Sequence, residues 1–153
     1  MNRLVGKVKA IAHRAVDGDT MMEITSCNVL PGRGLDTENR RPGKREITLV
    51  SAESWAEVCR EMGRQIPWWT RRANLLIEGI DLAATIGQRI RIGPVEIHIH
   101  GETKPCKLMD AQVQGLTRVM VPNVRGGIHG QVLTGGTIRV GDSVSVVLAE
   151  MRC

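Results

Sequence analysis

The stretch Val95-Glu96-Ile97-His98-Ile99-His100-Gly101-Glu102-Thr103-Lys104-Pro105-Cys106-Lys107-Leu108-Met109-Asp110 decides how the rest of the chain is read. Val95, Ile97 and Ile99 alternate with Glu96, His98 and His100. Side chains on a strand point alternately to its two faces, so this is a half-buried strand. With the isoleucines in the core, both histidines share the opposite face. The strand leads into a loop that holds one cysteine, Cys106, between Lys104 and Lys107. The thiolate is the nucleophilic and metal-binding form of cysteine, and neighbouring positive charge favours it. Pro105 fixes its own φ and removes a backbone donor just before the sulfur. The competing reading of Cys106 is a packing thiol between two solvated lysines.

Strand signals continue on both sides. Towards the C-terminus, a short helix or turn is expected over 109–114, and 126–133 reads as a strand. Gly135-Gly136 suggests a tight hairpin, with Thr137–Val140 pairing back on the strand before it. Gly141-Asp142 then turns into a strand from Ser143 to Leu148. Towards the N-terminus, Arg89–Ile92 precedes the Gly93-Pro94 turn. Thr85–Gln88 reads as a turn, Leu75–Ile77 as a strand ended by Gly79, and Ile66–Trp69 as a connector. Ser51 caps a helix with Glu53 in its first turn, and Gly63 stops it. Trp55, Val58, Cys59 and Met62 form its apolar face, which makes Cys59 a core residue. Glu46–Val50 is a strand, and a polar loop rich in arginine opens at Pro31. Leu4–Ala15 and Met21–Ile24 are strands joined by a turn at Val16–Asp19.

Many short strands punctuated by glycine, with one clear helix and short helical turns, predict a mainly β fold. The expected architecture is a closed or nearly closed β-barrel. The 153 residues fit one domain, 1–153. With no Phe, no Tyr and three Trp, the core has to be aliphatic. No apolar run approaches the ~20 residues of a membrane helix, and the N-terminus has no apolar signal core. A cytoplasmic protein without a membrane partner is expected. Cys27, Cys59, Cys106 and Cys153 form no close pair, so free thiols are expected in a reducing compartment. The net charge of +5 favours anionic partners.

Three stretches together resemble one family. They are Arg41-Pro42-Gly43-Lys44-Arg45-Glu46-Ile47-Thr48-Leu49-Val50-Ser51-Ala52-Glu53, then Thr70-Arg71-Arg72-Ala73-Asn74-Leu75-Leu76-Ile77-Glu78-Gly79, then Gly101 to Asp110. With the glycine-punctuated strands from Gly126 to Asp142, they resemble the MOSC domain, named after the C-terminal part of molybdenum cofactor sulfurases. The resemblance covers nearly the whole chain. One departure lies at Gly34-Leu35-Asp36-Thr37-Glu38-Asn39-Arg40, which only partly matches the family's glycine–aspartate–basic step.

The resemblance implies a MOSC-type barrel and a Cys106 that carries sulfur or binds molybdenum. It implies the molybdenum cofactor (molybdopterin) as ligand, and pyridoxal phosphate is a further family association. That cofactor is a pterin dithiolene bearing a phosphate. Arg45, Arg71 and Arg72 can grip phosphate with forked donors, and Asn74 can pair with the pterin. Lys44, Lys104 and Arg125 complete the expected cofactor-binding set. Lys44, Arg45, Arg71 or Arg72, and Arg125 are expected to line one pocket near Cys106. Arg71 and Arg72 would face opposite ways on a strand. The implied partners are an anionic small-molecule cofactor and either a cysteine desulfurase or an electron-donor protein.

Three other functions compete. A cofactor-dependent reductase of N-hydroxylated compounds would need electrons from a partner, because no flavin or iron–sulfur motif is present. A zinc site could use His98, His100 and Cys106, but no fourth ligand is evident. A nucleic-acid-binding barrel fits the basic charge, but the shortage of aromatics argues against base stacking.

Overall fold

The computed structural model describes residues 5–14, 20–38, 42–105 and 108–147. The expected turn at Val16–Asp19, Arg40 and Arg41 of the polar loop, the Cys106–Lys107 step and Cys153 lie outside the described residues.

The strands are β1 (Val5–Arg14), β2 (Met21–Ile24), β3 (Ser26–Leu30), β4 (Gly34–Leu35), β5 (Ile47–Ser51), β6 (Leu75–Glu78), β7 (Arg89–Ile92), β8 (Val95–Glu102), β9 (Ile128–Thr134), β10 (Gly136–Arg139) and β11 (Ser143–Val146). The helices are α1 (Ala52–Met62), α2 (Leu108–Gln112) and α3 (Leu116–Met120). Single 3-10 turns occupy Trp68–Arg71, Leu82–Thr85 and Pro122–Val124.

Seven strands close on themselves in the order β11-β7-β8-β9-β5-β6-β1, because β1 also pairs with β11. β2 continues the sheet beyond β1, and β10-β3-β4 form a separate small sheet. Every pair is antiparallel except β5–β6, which is parallel. A parallel pair needs a crossover, and here α1 supplies it.

Strand alternation divides the apolar residues into two layers. Ile47, Leu49, Leu75, Ile77, Ile97, Ile99 and Ile128 fill the barrel with other aliphatic side chains, and no aromatic joins them. Each such side chain, when fully buried, contributes about 1.5–3 kcal/mol. Val50 and Leu76 point outward and meet Trp55, Val58, Leu116 and Met120 of the helices. The helices therefore cover the outer face of β5 and β6, and Cys59 is buried in this second layer.

α1 begins and ends where its sequence predicts. The Ser54 N–H donates to Ser51 Oγ at 3.1 Å. Gly63 adopts a left-handed φ of 70°, and its N–H donates to the Arg60 carbonyl. β8 runs as expected, with Val95, Ile97 and Ile99 buried and Glu96, His98 and His100 half-buried.

Two expectations need correction. Thr137–Val140 does not pair back on β9; β10 pairs with β3, Ile138 opposite Cys27. Gly135 allows this because its backbone lies against the Val29 carbonyl, where a Cβ would intrude. The chain thus leaves the barrel for the small sheet instead of making a hairpin. Second, Arg71 and Arg72 are not in a strand. Arg71 ends the 3-10 turn, and Arg72 has a φ of 66°. β6 starts only at Leu75, so strand alternation does not govern the two arginines.

Candidate functional site

Polar residues concentrate on the outer face of β5, β8 and β9 and in the segments around it. Thr48 lies between inward Ile47 and Leu49, and it pairs across the ladder with His129. His129 also pairs with Gly101 on β8. Glycine leaves room there, since a Cβ on Gly101 would sit 3.6 Å from the His129 ring.

Glu46 organises the entry to β5. It is fully buried, and its carboxylate accepts three backbone N–H bonds, from Gly32 at 3.1 Å, Val132 at 3.0 Å and Gly43 at 2.9 Å. A buried charge requires such compensation. These bonds tie the polar loop, the basic segment and β9 together. They hold Lys44 and Arg45, both exposed, at one end of the polar face. The two cations act on His129, whose pKa is lowered by burial first, then by Arg45, His100 and Lys44. His129 is therefore neutral at neutral pH. Its Nδ1 lies 3.2 Å from Thr103 Oγ1.

Thr103 belongs to the strap that leads to Cys106. Arg71 Nε donates to the Gly126 carbonyl at 2.7 Å, and Arg71 Nη2 donates to the Thr103 carbonyl at 2.9 Å. The Thr103 N–H donates to Gly127 at 2.8 Å. The strap is thus bound to the 126–127 turn at Thr103, two residues before Pro105 and three before Cys106. Cys106 and Lys107 lie outside the described residues, and Lys104 is exposed.

Asn74 is fully buried in a second polar network. Its Oδ1 accepts from the Thr48 N–H at 3.2 Å, and its Nδ2 donates to Glu38 Oε1 at 3.2 Å and to the Ala12 carbonyl at 3.4 Å. Glu38 in turn accepts from the Arg14 N–H at 2.8 Å. Asn74 thereby links β1, the polar loop and β5.

The arginines named from sequence have different neighbours. Arg72 lines a cleft of about 400 Å³ with Thr20, Met21, Trp69, Thr70 and Gln112. A positive φ on a non-glycine residue is uncommon and clusters at functional sites. Arg125 donates to the Val119 carbonyl at 3.0 Å and pairs with Glu61 of α1, so it faces the helical layer. Lys44, Arg45, His100 and His129 form one electrostatic group, while Arg71 secures the strap.

Sequence reading missed Glu46, Glu38, Thr48, Thr103 and His129. A Thr–Glu or lone-His position carries no local signal, because all the partners of these side chains but Gly43 are 14 to 86 residues away. The thiols divide by environment. Cys27 is buried and its pKa is pushed up to about 12, by burial first and then by Asp36 and Glu38, so it is inert. Cys59 packs against the Ile66 backbone, whose N–H points to Sγ at 3.5 Å.

No helix of the described residues is long and apolar enough to cross a membrane. Several solved structures share the fold. YuaD protein from Bacillus subtilis superposes with a TM-score of 0.76 at 21% identity, covering 94% of this chain and 96% of that one. YiiM from Geobacillus stearothermophilus gives 0.75 at 14% identity, covering 94% and 75%. YiiM from Escherichia coli gives 0.69 at 16% identity, covering 99% and 72%. No curated protein matches the chain. The family profile described as the MOSC domain matches residues 18–145, most of the 153, and the chain belongs to the MOSC-domain family.

Proposed function

We propose that this chain binds the molybdenum cofactor, with Cys106 as the thiolate that carries sulfur or ligates molybdenum. The observation that carries this reading is the Glu46 brace. It fixes Lys44 and Arg45 beside neutral His129, and His129 contacts the strap that leads to Cys106. The donor set suits the group: exposed cations for a phosphate, hydroxyl and imidazole groups for a polar heterocycle, and a soft thiolate for the metal. Lys44 and Arg45 would hold the phosphate. Asn74 holds Thr48 and the 12–14 backbone in place, and Arg71 keeps the strap in position. When bound, the cofactor supplies redox chemistry at molybdenum. A cysteine desulfurase is the partner that a sulfur carrier requires, and an electron donor is the partner that a reductase requires.

The test is elemental and sulfane-sulfur analysis of protein purified from cofactor-competent cells. Molybdenum or sulfane sulfur is expected in the parent and absent from Cys106→Ser, with an unchanged circular dichroism spectrum. If Cys106→Ser loads as well as the parent does, the reading fails. Iodoacetamide provides a second check. Cys106 should react at neutral pH faster than a free thiol of pKa ~8.5.

A further inference from the structure

We propose that His98, His100 and Gln131 form a divalent transition-metal site on the outer face of β8 and β9, with coordination of the Ni²⁺ or Cu²⁺ type. This site does not depend on the cofactor reading.

The alternation of β8 sends both imidazoles outward, where they are half-buried and not part of the core. Their ring centres are 4.5 Å apart, with planes at 54°. That separation has a metric meaning. A metal–nitrogen bond of about 2.0–2.1 Å plus about 1.2 Å to the ring centre puts each centre about 3.2 Å from an ion. Two imidazoles at a right angle then have centres about 4.5 Å apart, and at a tetrahedral angle about 5.2 Å. The observed spacing matches the right-angle case.

A third donor stands beside them. Gln131 pairs with His98 across the ladder, and its Oε1 lies 3.4 Å from His100 Nε2. Two donors on adjacent corners of one ion are about 3 Å apart, so a closure of a few tenths of an ångström suffices. An ion would replace the proton that His100 and Gln131 share. A cleft of about 290 Å³, lined by His98, Arg89 and Leu133 among others, gives access. Among the described residues no three His, Cys, Asp or Glu side chains converge on one point, so an amide oxygen and water would complete the sphere.

The local charge is tolerable. Arg89 lies opposite His98, but Glu96 holds it at 3.1 Å and holds Arg91 at 3.2 Å. Lys44 and Arg45 still oppose a dication. The site therefore selects ions that bind imidazole strongly over hard, oxygen-seeking Mg²⁺ or Ca²⁺.

The test is calorimetric titration of the full chain with Ni²⁺, which avoids thiol oxidation by Cu²⁺. One ion per chain is expected. His98→Ala and His100→Ala should each weaken binding by about tenfold or more, since each removes one of two imidazole ligands. His13→Ala and Cys106→Ser should bind as the parent does. Should an alanine variant fail to fold, the unsubstituted protein decides the matter by NMR with sub-stoichiometric Ni²⁺. The His98 and His100 ring protons should shift together, ahead of those of His13 and His129. Absence of Ni²⁺ binding, parent-like binding by His98→Ala or His100→Ala, or loss confined to Cys106→Ser would each overturn the proposal.

Discussion

Three side chains of the polar face make separable predictions. Glu46 accepts three backbone bonds while fully buried, so Glu46→Ala strands three donors at once. Bonds to a charged group are worth about 1.5–3 kcal/mol each, so a loss of about 3 kcal/mol or more is expected. A lower denaturant midpoint at unchanged m-value is the measurement. Arg71→Lys keeps the charge but loses the fork that reaches both the Gly126 and Thr103 carbonyls. The Thr103 amide should then exchange with deuterium faster, while amides inside the barrel keep their protection. His129 makes the pH prediction. Its folded pKa is lowered, so near pH ~6.5 the unfolded chain takes up a proton that the folded chain refuses. Stability is therefore complete above about pH 6.5 and falls as pH drops towards the lowered folded value. His129→Gln should flatten that part of a melting-temperature profile. An unchanged slope would show that His129 does not set it. None of these roles is visible locally. Glu46 reads as an ordinary charged residue at a strand start, and its acceptor role exists only because Gly32 and Val132 arrive from 14 and 86 residues away.

At the scale of elements, the legible parts are those whose information is local. β8 is readable because its alternation spans six residues, and α1 because its cap, stop and apolar face lie within thirteen. The partner of β10 is not legible, because Gly135-Gly136 is compatible with a hairpin or a departure, and the Val29 carbonyl and Pro94 decide between them. The arginine segment is not legible either, because side-chain bonds to distant carbonyls, not backbone pairing, fix Arg71. Two glycines, Gly127 before β9 and Gly115 before α3, can be tested. Gly127 has a φ of +95°, and a Cβ there would collide with the Leu49 carbonyl. Gly115 has a φ of +86° with open space around it. Gly115→Ala should cost about 1 kcal/mol through strain alone, and Gly127→Ala clearly more, because β5 must also move. Equal midpoints in chemical denaturation would refute the difference.

For the molecule as a whole, the closed barrel and its aliphatic core are readable from strand count and composition, whereas the pair of strands that closes it is not. Closure rests on β1 meeting β11, with Val5 opposite Ser145 and Lys7 opposite Ser143. That pairing joins segments about as far apart in sequence as the described chain allows. The consequence concerns synthesis. Strands emerge from the ribosome in order, and the last seam can form only when β11 has cleared the exit tunnel. Until then β1 and β7 each present an unpaired edge, and the isoleucine-rich interior is open on one side. Such edges and surfaces invite pairing between chains. The nascent protein is therefore most exposed to aggregation just before β11 emerges, which is when a holdase chaperone would have the most effect on its yield.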